Sequence, residues 1–172
     1  MGYDRILVAI DASALQAAVY QQALETAKLH QAELKLLHCV EGGIDPAGAS
    51  TIAPAGTSLD TGYLFPSAAD FDIAQQAWDA QLTNAKRWLR EFCQTAEQQG
   101  ITATFEAEGG NPGHQVCDLA RDWQADLIVV GRHGRTGLTE LLLGSVSNHI
   151  VHHAPCAVLV IQGATITADS SP

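Results

Sequence analysis

Short apolar runs alternate with stretches of helical periodicity along almost the whole chain, and this alternation restricts the fold more than any other feature. Arg5-Ile6-Leu7-Val8-Ala9-Ile10 is nearly continuous in apolar character, as are Leu34–Val40, Asp126–Val130 and Ala157–Ile161. Runs of this length and texture suit strands buried on both faces of a parallel sheet. Thr102–Glu108 alternates instead and reads as a further strand. Between the strands, Leu15, Val19, Ala23, Ala27 and His30 recur at helical spacing, with Ser13 as the expected N-cap. A longer stripe runs through Ala74, Trp78, Leu82, Ala85, Leu89, Phe92 and Ala96, starts near Asp70 and stops at Gly100. Its aromatic residues suit core or dimer contact. Asn111-Pro112 opens another helix with Val116, Leu119, Ala120 and Trp123 inward, and a last helix is expected from Ser145 to His152. Strands alternating with helices predict an α/β fold: an open, doubly wound, five-stranded parallel sheet with helices on both faces. A strand order of 3-2-1-4-5 follows from that fold type.

At 172 residues the chain is expected to form one domain over 1–163, with a flexible tail at 164–172. Residues 41–69, rich in Gly, Ala, Pro, Ser and Thr, read as a loop insertion. The net charge of −10 and the absence of any Lys/Arg-rich run disfavour nucleic acid and anionic membranes as partners. The N-terminal MGYDRILVAI fits no secretory signal, and no apolar stretch reaches membrane-spanning length. Cys39, Cys93, Cys117 and Cys156 are widely spaced and read as free thiols. These features together predict a cytoplasmic protein.

In doubly wound sheets a ligand binds beyond the carboxyl ends of the strands, where the order reverses. Asp11 follows the first strand and Gly131 the fourth, and the assumed order sets them side by side. After the fourth strand the chain reads GRHGRTGLTELLLGS. Glycines let a ligand approach the main chain, and free N–H groups in such turns cradle anions. Gly144-Ser145 opens a helix whose first amides and dipole favour negative charge. Residues 131–153 hold Arg132, Arg135 and four histidines against Glu140 alone, a positive island on an acidic chain. A glycine-rich surface loop before a capped helix would look the same from glycines alone. Asp11, likewise, is equally a helix cap or a ligand contact. Neither a P-loop nor a Rossmann glycine pattern is present. His152-His153-x-x-Cys156 lacks zinc-site spacing, and His149 and His153 share a helix face without a third ligand.

Gly131-x2-Gly134-x9-Gly144-Ser145 resembles the nucleotide motif of ATP-binding universal stress proteins. The surrounding DLIVVGRHGRTGLTELLLGSVSNHIVHHAPCAVLVI and the opening YDRILVAIDAS are similar to that family too, and the element order agrees over about residues 3–161. The resemblance does not reach residues 41–69. It implies an adenine nucleotide alpha hydrolase-like fold and a nucleotide-responsive regulatory protein rather than an enzyme. A slow ATPase, or a dimeric interaction protein of this fold that binds no nucleotide, is the alternative. The resemblance implies Asp11 at the adenosine, Ala9 lining the pocket and the Val40 backbone at the adenine edge. Val130 and Gly131 would lie under ribose and phosphates. His133, Gly134, Gly144, Ser145, Val146 and Ser147 would hold the phosphate chain, with Arg132 beside them. ATP, ADP or AMP is the implied ligand, with Mg²⁺ or Mn²⁺ held through the phosphates. A homodimer through the last strand, Ala157–Ile161, and an unknown protein partner complete the expectation.

Overall fold

A computed structural model of the chain describes residues 2–40, 68–132 and 143–162. In chain order the elements are β1 (Arg5–Ala9), α1 (Gln16–His30), β2 (Glu33–Val40), α2 (Ala68–Gln98), β3 (Ala103–Gly109), α3 (Pro112–Asp122), β4 (Leu127–Gly131), α4 (Ser145–His153) and β5 (Ala157–Ile161). The strands form one five-stranded sheet in the order β3-β2-β1-β4-β5, with every pairing parallel. The expected architecture and strand order are therefore those observed.

Alternation along each strand divides the apolar residues between two cores. Ile6, Val8, Ile10, Leu34, Leu36, Leu127 and Val129 face α1 and α2. Leu7, Leu37, Ile128 and Val130 face α3 and α4. A strand buried on both faces needs apolar residues at every position, which explains the near-continuous runs. Among the described residues no helix is long and apolar enough to cross a membrane.

The helices differ from expectation in detail. The long helix begins at Ala68, two residues before the expected Asp70, so residues 68 and 69 belong to it and not to the insertion. The remainder of the expected loop, 41–67, and the tail from 163 lie outside the described residues. Ser13 is not the cap of α1: the N-cap is Leu15, without a side-chain bond. Ser13 instead closes a local turn, its Oγ accepting from the Leu15 N–H at 3.3 Å. Asn111 does cap α3, accepting from the His114 N–H at 3.2 Å, with Pro112 in the first turn. The buried stripe of α1 is broader than its four-residue spacing suggested, since Tyr20 and Leu24 join Val19, Ala23 and Ala27. Tyr20 donates its hydroxyl to the Phe92 carbonyl at 2.6 Å and meets the Phe92 ring edge-on, joining α1 to α2. The aromatic stripe of α2 is core-facing: Trp78, Leu82, Trp88 and Phe92 pack on the first core while Ala85, Leu89, Cys93 and Ala96 are buried in it.

Candidate functional site

The order of the sheet runs outward from β1 in one direction through β2 to β3, and in the other through β4 to β5. The chain therefore diverges between β1 and β4, and a crevice opens past their carboxyl ends. Ala9 pairs with Val130 in the ladder, so Ile10-Asp11 run out of the sheet beside Gly131-Arg132, which still bond β5. This is the juxtaposition that the sequence motifs required.

Asp11 is exposed at the rim. Its Oδ1 accepts from the Ser13 N–H at 3.2 Å, and its carbonyl accepts from Gln16 Nε2 at 3.0 Å. It thus stabilises the turn into α1. Ala9 is partly buried on the α3/α4 side of the sheet. Val130 is buried at 4% exposure. Gly131 pairs with Ile161, and Arg132 continues the contact, its N–H donating to the Ile161 carbonyl at 2.7 Å. A Cβ on Gly131 would stand 3.1 Å from Val19 Cγ2, so this glycine lets α1 lie close on β4.

Val146, in the first turn of α4, packs on the same core face as Ala9 and Val130. Gly144 is the N-cap of α4 at φ −60° and ψ 160°, a conformation open to any residue. Glycine offers no side-chain acceptor to the first turn, and the first intrahelical bond runs from the Asn148 N–H to the Gly144 carbonyl at 2.8 Å. The amides of Ser145, Val146 and Ser147 precede that bond and carry the positive end of the helix dipole. Ser145 is exposed, whereas Ser147 is buried at 1% and donates its hydroxyl to the Gly144 carbonyl at 3.1 Å. Ser147 therefore shapes the first turn from inside. His133 and Gly134 lie outside the described residues.

On the other side of Asp11, an open pocket of about 360 Å³ lies between the end of β2 and α2. Ala12, His38, Val40, Gln81, Asn84, Ala85 and Trp88 line it. Val40 was an expected site residue. His38, Gln81, Asn84 and Trp88 were not, because α2 comes to this place only through the fold. The alternation of β2 carried one signal: Leu34, Leu36, His38 and Val40 share a face, and a histidine among them needs a polar partner.

The four cysteines are free. Burial, and then the nearby Glu108, pushes the Cys39 thiol up to about 11; burial and then Glu97 do the same for Cys93. Thiols held protonated are poor nucleophiles.

The profile of the universal stress protein family matches residues 2–162. A universal stress protein of Synechocystis is 34% identical over 163 residues, covering 94% of this chain and 99% of its own. Among solved structures, universal stress protein UspA from Lactobacillus plantarum is similar with a TM-score of 0.70 and 28% identity, covering 94% of this chain and 99% of that one. A family protein from Arabidopsis thaliana with AMP bound shares the fold at a TM-score of 0.56 and 20% identity, covering 98% of this chain and 95% of its own. With its fold, strand order and matched length in agreement, the chain belongs to the universal stress protein family.

Proposed function

We propose that this chain binds an adenine nucleotide across the crevice between β1 and β4 and acts as a nucleotide-responsive regulatory module in a stress response. The observation that carries the reading is the convergence of three features at one end of the sheet. The Asp11 carboxylate lies at the rim, a pocket flanks it beside Val40, and α4 opens behind a glycine N-cap that makes no side-chain bond to its amides. These supply a hydrogen-bond acceptor for ribose hydroxyls, a partly apolar wall for a base, and donors for phosphate. Asp11 repels phosphate and so belongs at the sugar end. The AMP-bound fold relative supports the same class of ligand.

In this reading Ala9, Val130 and Gly131 floor the site, with Val40 at the base. His133, Gly134, Gly144, Ser145 and Val146 meet the phosphates, Arg132 adds charge beside them, and Ser147 holds the turn. Mg²⁺ or Mn²⁺ would be bound through the phosphate oxygens and would offset their charge. No side chain is assigned to the metal.

Isothermal titration of nucleotide-stripped protein with ATP, ADP and AMP, with and without Mg²⁺, tests the proposal. Saturable binding near one per chain is expected, and Gly144→Val is expected to abolish it. Wild-type affinity in that variant would remove the α4 amides from the site. No binding of any of the three by the unsubstituted chain would overturn the reading.

A further inference from the structure

His38 lies on β2, yet its ring reaches across to β1 at the point where the chain turns out towards Asp11. The N–H of Ile10 donates to the Leu37 carbonyl at 3.0 Å. The carbonyl of Ile10 is 2.9 Å from His38 Nδ1. A carbonyl only accepts, so Nδ1 carries the proton. Both backbone groups of the residue before Asp11 are thereby held from β2, although β1 itself ends at Ala9. The imidazole supplies a donor where the ladder has run out. Its own orientation is fixed from the far side by Trp88 of α2, whose ring meets it edge-on with centroids 5.1 Å apart. Trp88 is braced in turn by Phe92 at 5.3 Å. The same ring lines the pocket beside Val40.

A half-buried histidine on the core face of a strand is an expensive choice unless its hydrogen bond is used. Apolar residues occupy the neighbouring positions, Leu36 and Val40, on that face. We propose that His38 is a positioning residue of the nucleotide site: by clamping the Ile10 carbonyl it fixes the direction in which Asp11 leaves the sheet, and so the placing of the carboxylate against the sugar. This rests on the proposed contact between Asp11 and the nucleoside. The clamp acts on the sugar end alone, so it bears equally on adenosine and on ATP.

Binding of adenosine and of ATP to the full chain tests this in five variants. His38→Asn keeps an N–H donor near the place of Nδ1. His38→Gln keeps the amide but carries it further out, and His38→Leu removes it. The fourth is Asp11→Ala, and the fifth combines it with His38→Gln. A carboxylate displaced far enough to lose one of its own hydrogen bonds to the sugar binds roughly 5-fold more weakly. His38→Gln and His38→Leu are expected to weaken both ligands by that factor, and His38→Asn to stay within about 2-fold of wild type. On the Asp11→Ala background His38→Gln should add nothing, since the two act as one unit.

Equal binding by His38→Asn and His38→Gln would overturn the proposal, because the position of the donor would then not matter. So would a full additional loss on the Asp11→Ala background, the mark of a structural role only. The comparison of Asn with Gln still decides if His38→Leu fails to fold. Absence of binding by the wild-type chain is a different outcome, since it removes the nucleotide reading and this inference with it. Binding that responds to Asp11→Ala but not to His38→Gln removes this inference alone.

Discussion

Gly131 and Gly144 belong to one spaced pattern, but they are glycine for different physical reasons. At Gly131 a Cβ would press on Val19, so the glycine serves the packing of α1 on β4. Gly131→Ala is expected to destabilise the fold by about 1 kcal/mol through overpacking, read as a shift of the urea midpoint. At Gly144 the backbone conformation suits any residue, and in the proposed site the glycine leaves the main chain open to phosphate. Gly144→Val should therefore keep stability within about 1 kcal/mol, the range of N-cap effects, while losing ATP. Asp11→Ala should weaken adenosine and ATP by one common factor of roughly 10-fold, as befits loss of bonds to a charged group. A loss confined to ATP would move Asp11 to the phosphate end. Asp11 was visible in the sequence because it breaks an apolar run at a strand end. His38 was not, because its partner, the Ile10 carbonyl, carries no mark in the sequence.

The joint between α3 and α4 shows the same limit one level up. Gly113 and His149 are 36 residues apart, and a Cβ on Gly113 would stand 2.9 Å from the His149 ring. The His149 ring lies 4.5 Å from that of His114 on α3 and stacks at 4.2 Å on that of His153. The i, i+4 spacing of His149 and His153 was legible, whereas His114 joins them only by packing. Desolvation, followed by His153 and His114, holds the His149 pKa below the ordinary histidine value. Elsewhere on α3, Cys117 is held protonated by burial, and Asp118 is paired with Arg121 at 2.8 Å. β5 has no titratable side chain. An unfolded chain then takes up this proton before the folded one does. Stability is expected to be full above the ordinary histidine value and to fall as pH drops from there towards the lower, folded-state value. Urea midpoints measured against pH should show this slope, and His149→Leu should remove the part due to His149. On the opposite face, Tyr20→Phe should cost about 1 kcal/mol by deleting the bond to the Phe92 carbonyl. Tyr20 escaped notice because it lies one position off the four-residue stripe that marked α1.

Across the whole molecule the two edges of the sheet differ. β3 carries Glu106 and Glu108, and Glu106 bonds Lys35 at 2.7 Å. Charges of this kind discourage pairing with another strand. β5 reads AVLVI, partly exposed along most of its length and uncharged. The homodimer expected from the resemblance would use this edge; sedimentation equilibrium at micromolar concentration should find it, and a monomer there would overturn the expectation. The strand order was open to inference because short buried runs, helices between them and a motif after the fourth strand all agree. Contacts between helices were not, since they depend on which stripes meet after the sheet has formed.

The two cores have a mechanical consequence. α1 and α2 cover one face of the sheet and α3 and α4 the other, with only the strands between them. A molecule held by the turn before α1 at one end and by the start of α4 at the other would act as a tie-bar across both layers. Its arrival should slow amide hydrogen exchange in α1 and in α4 together, although the two helices stand on opposite faces of the sheet.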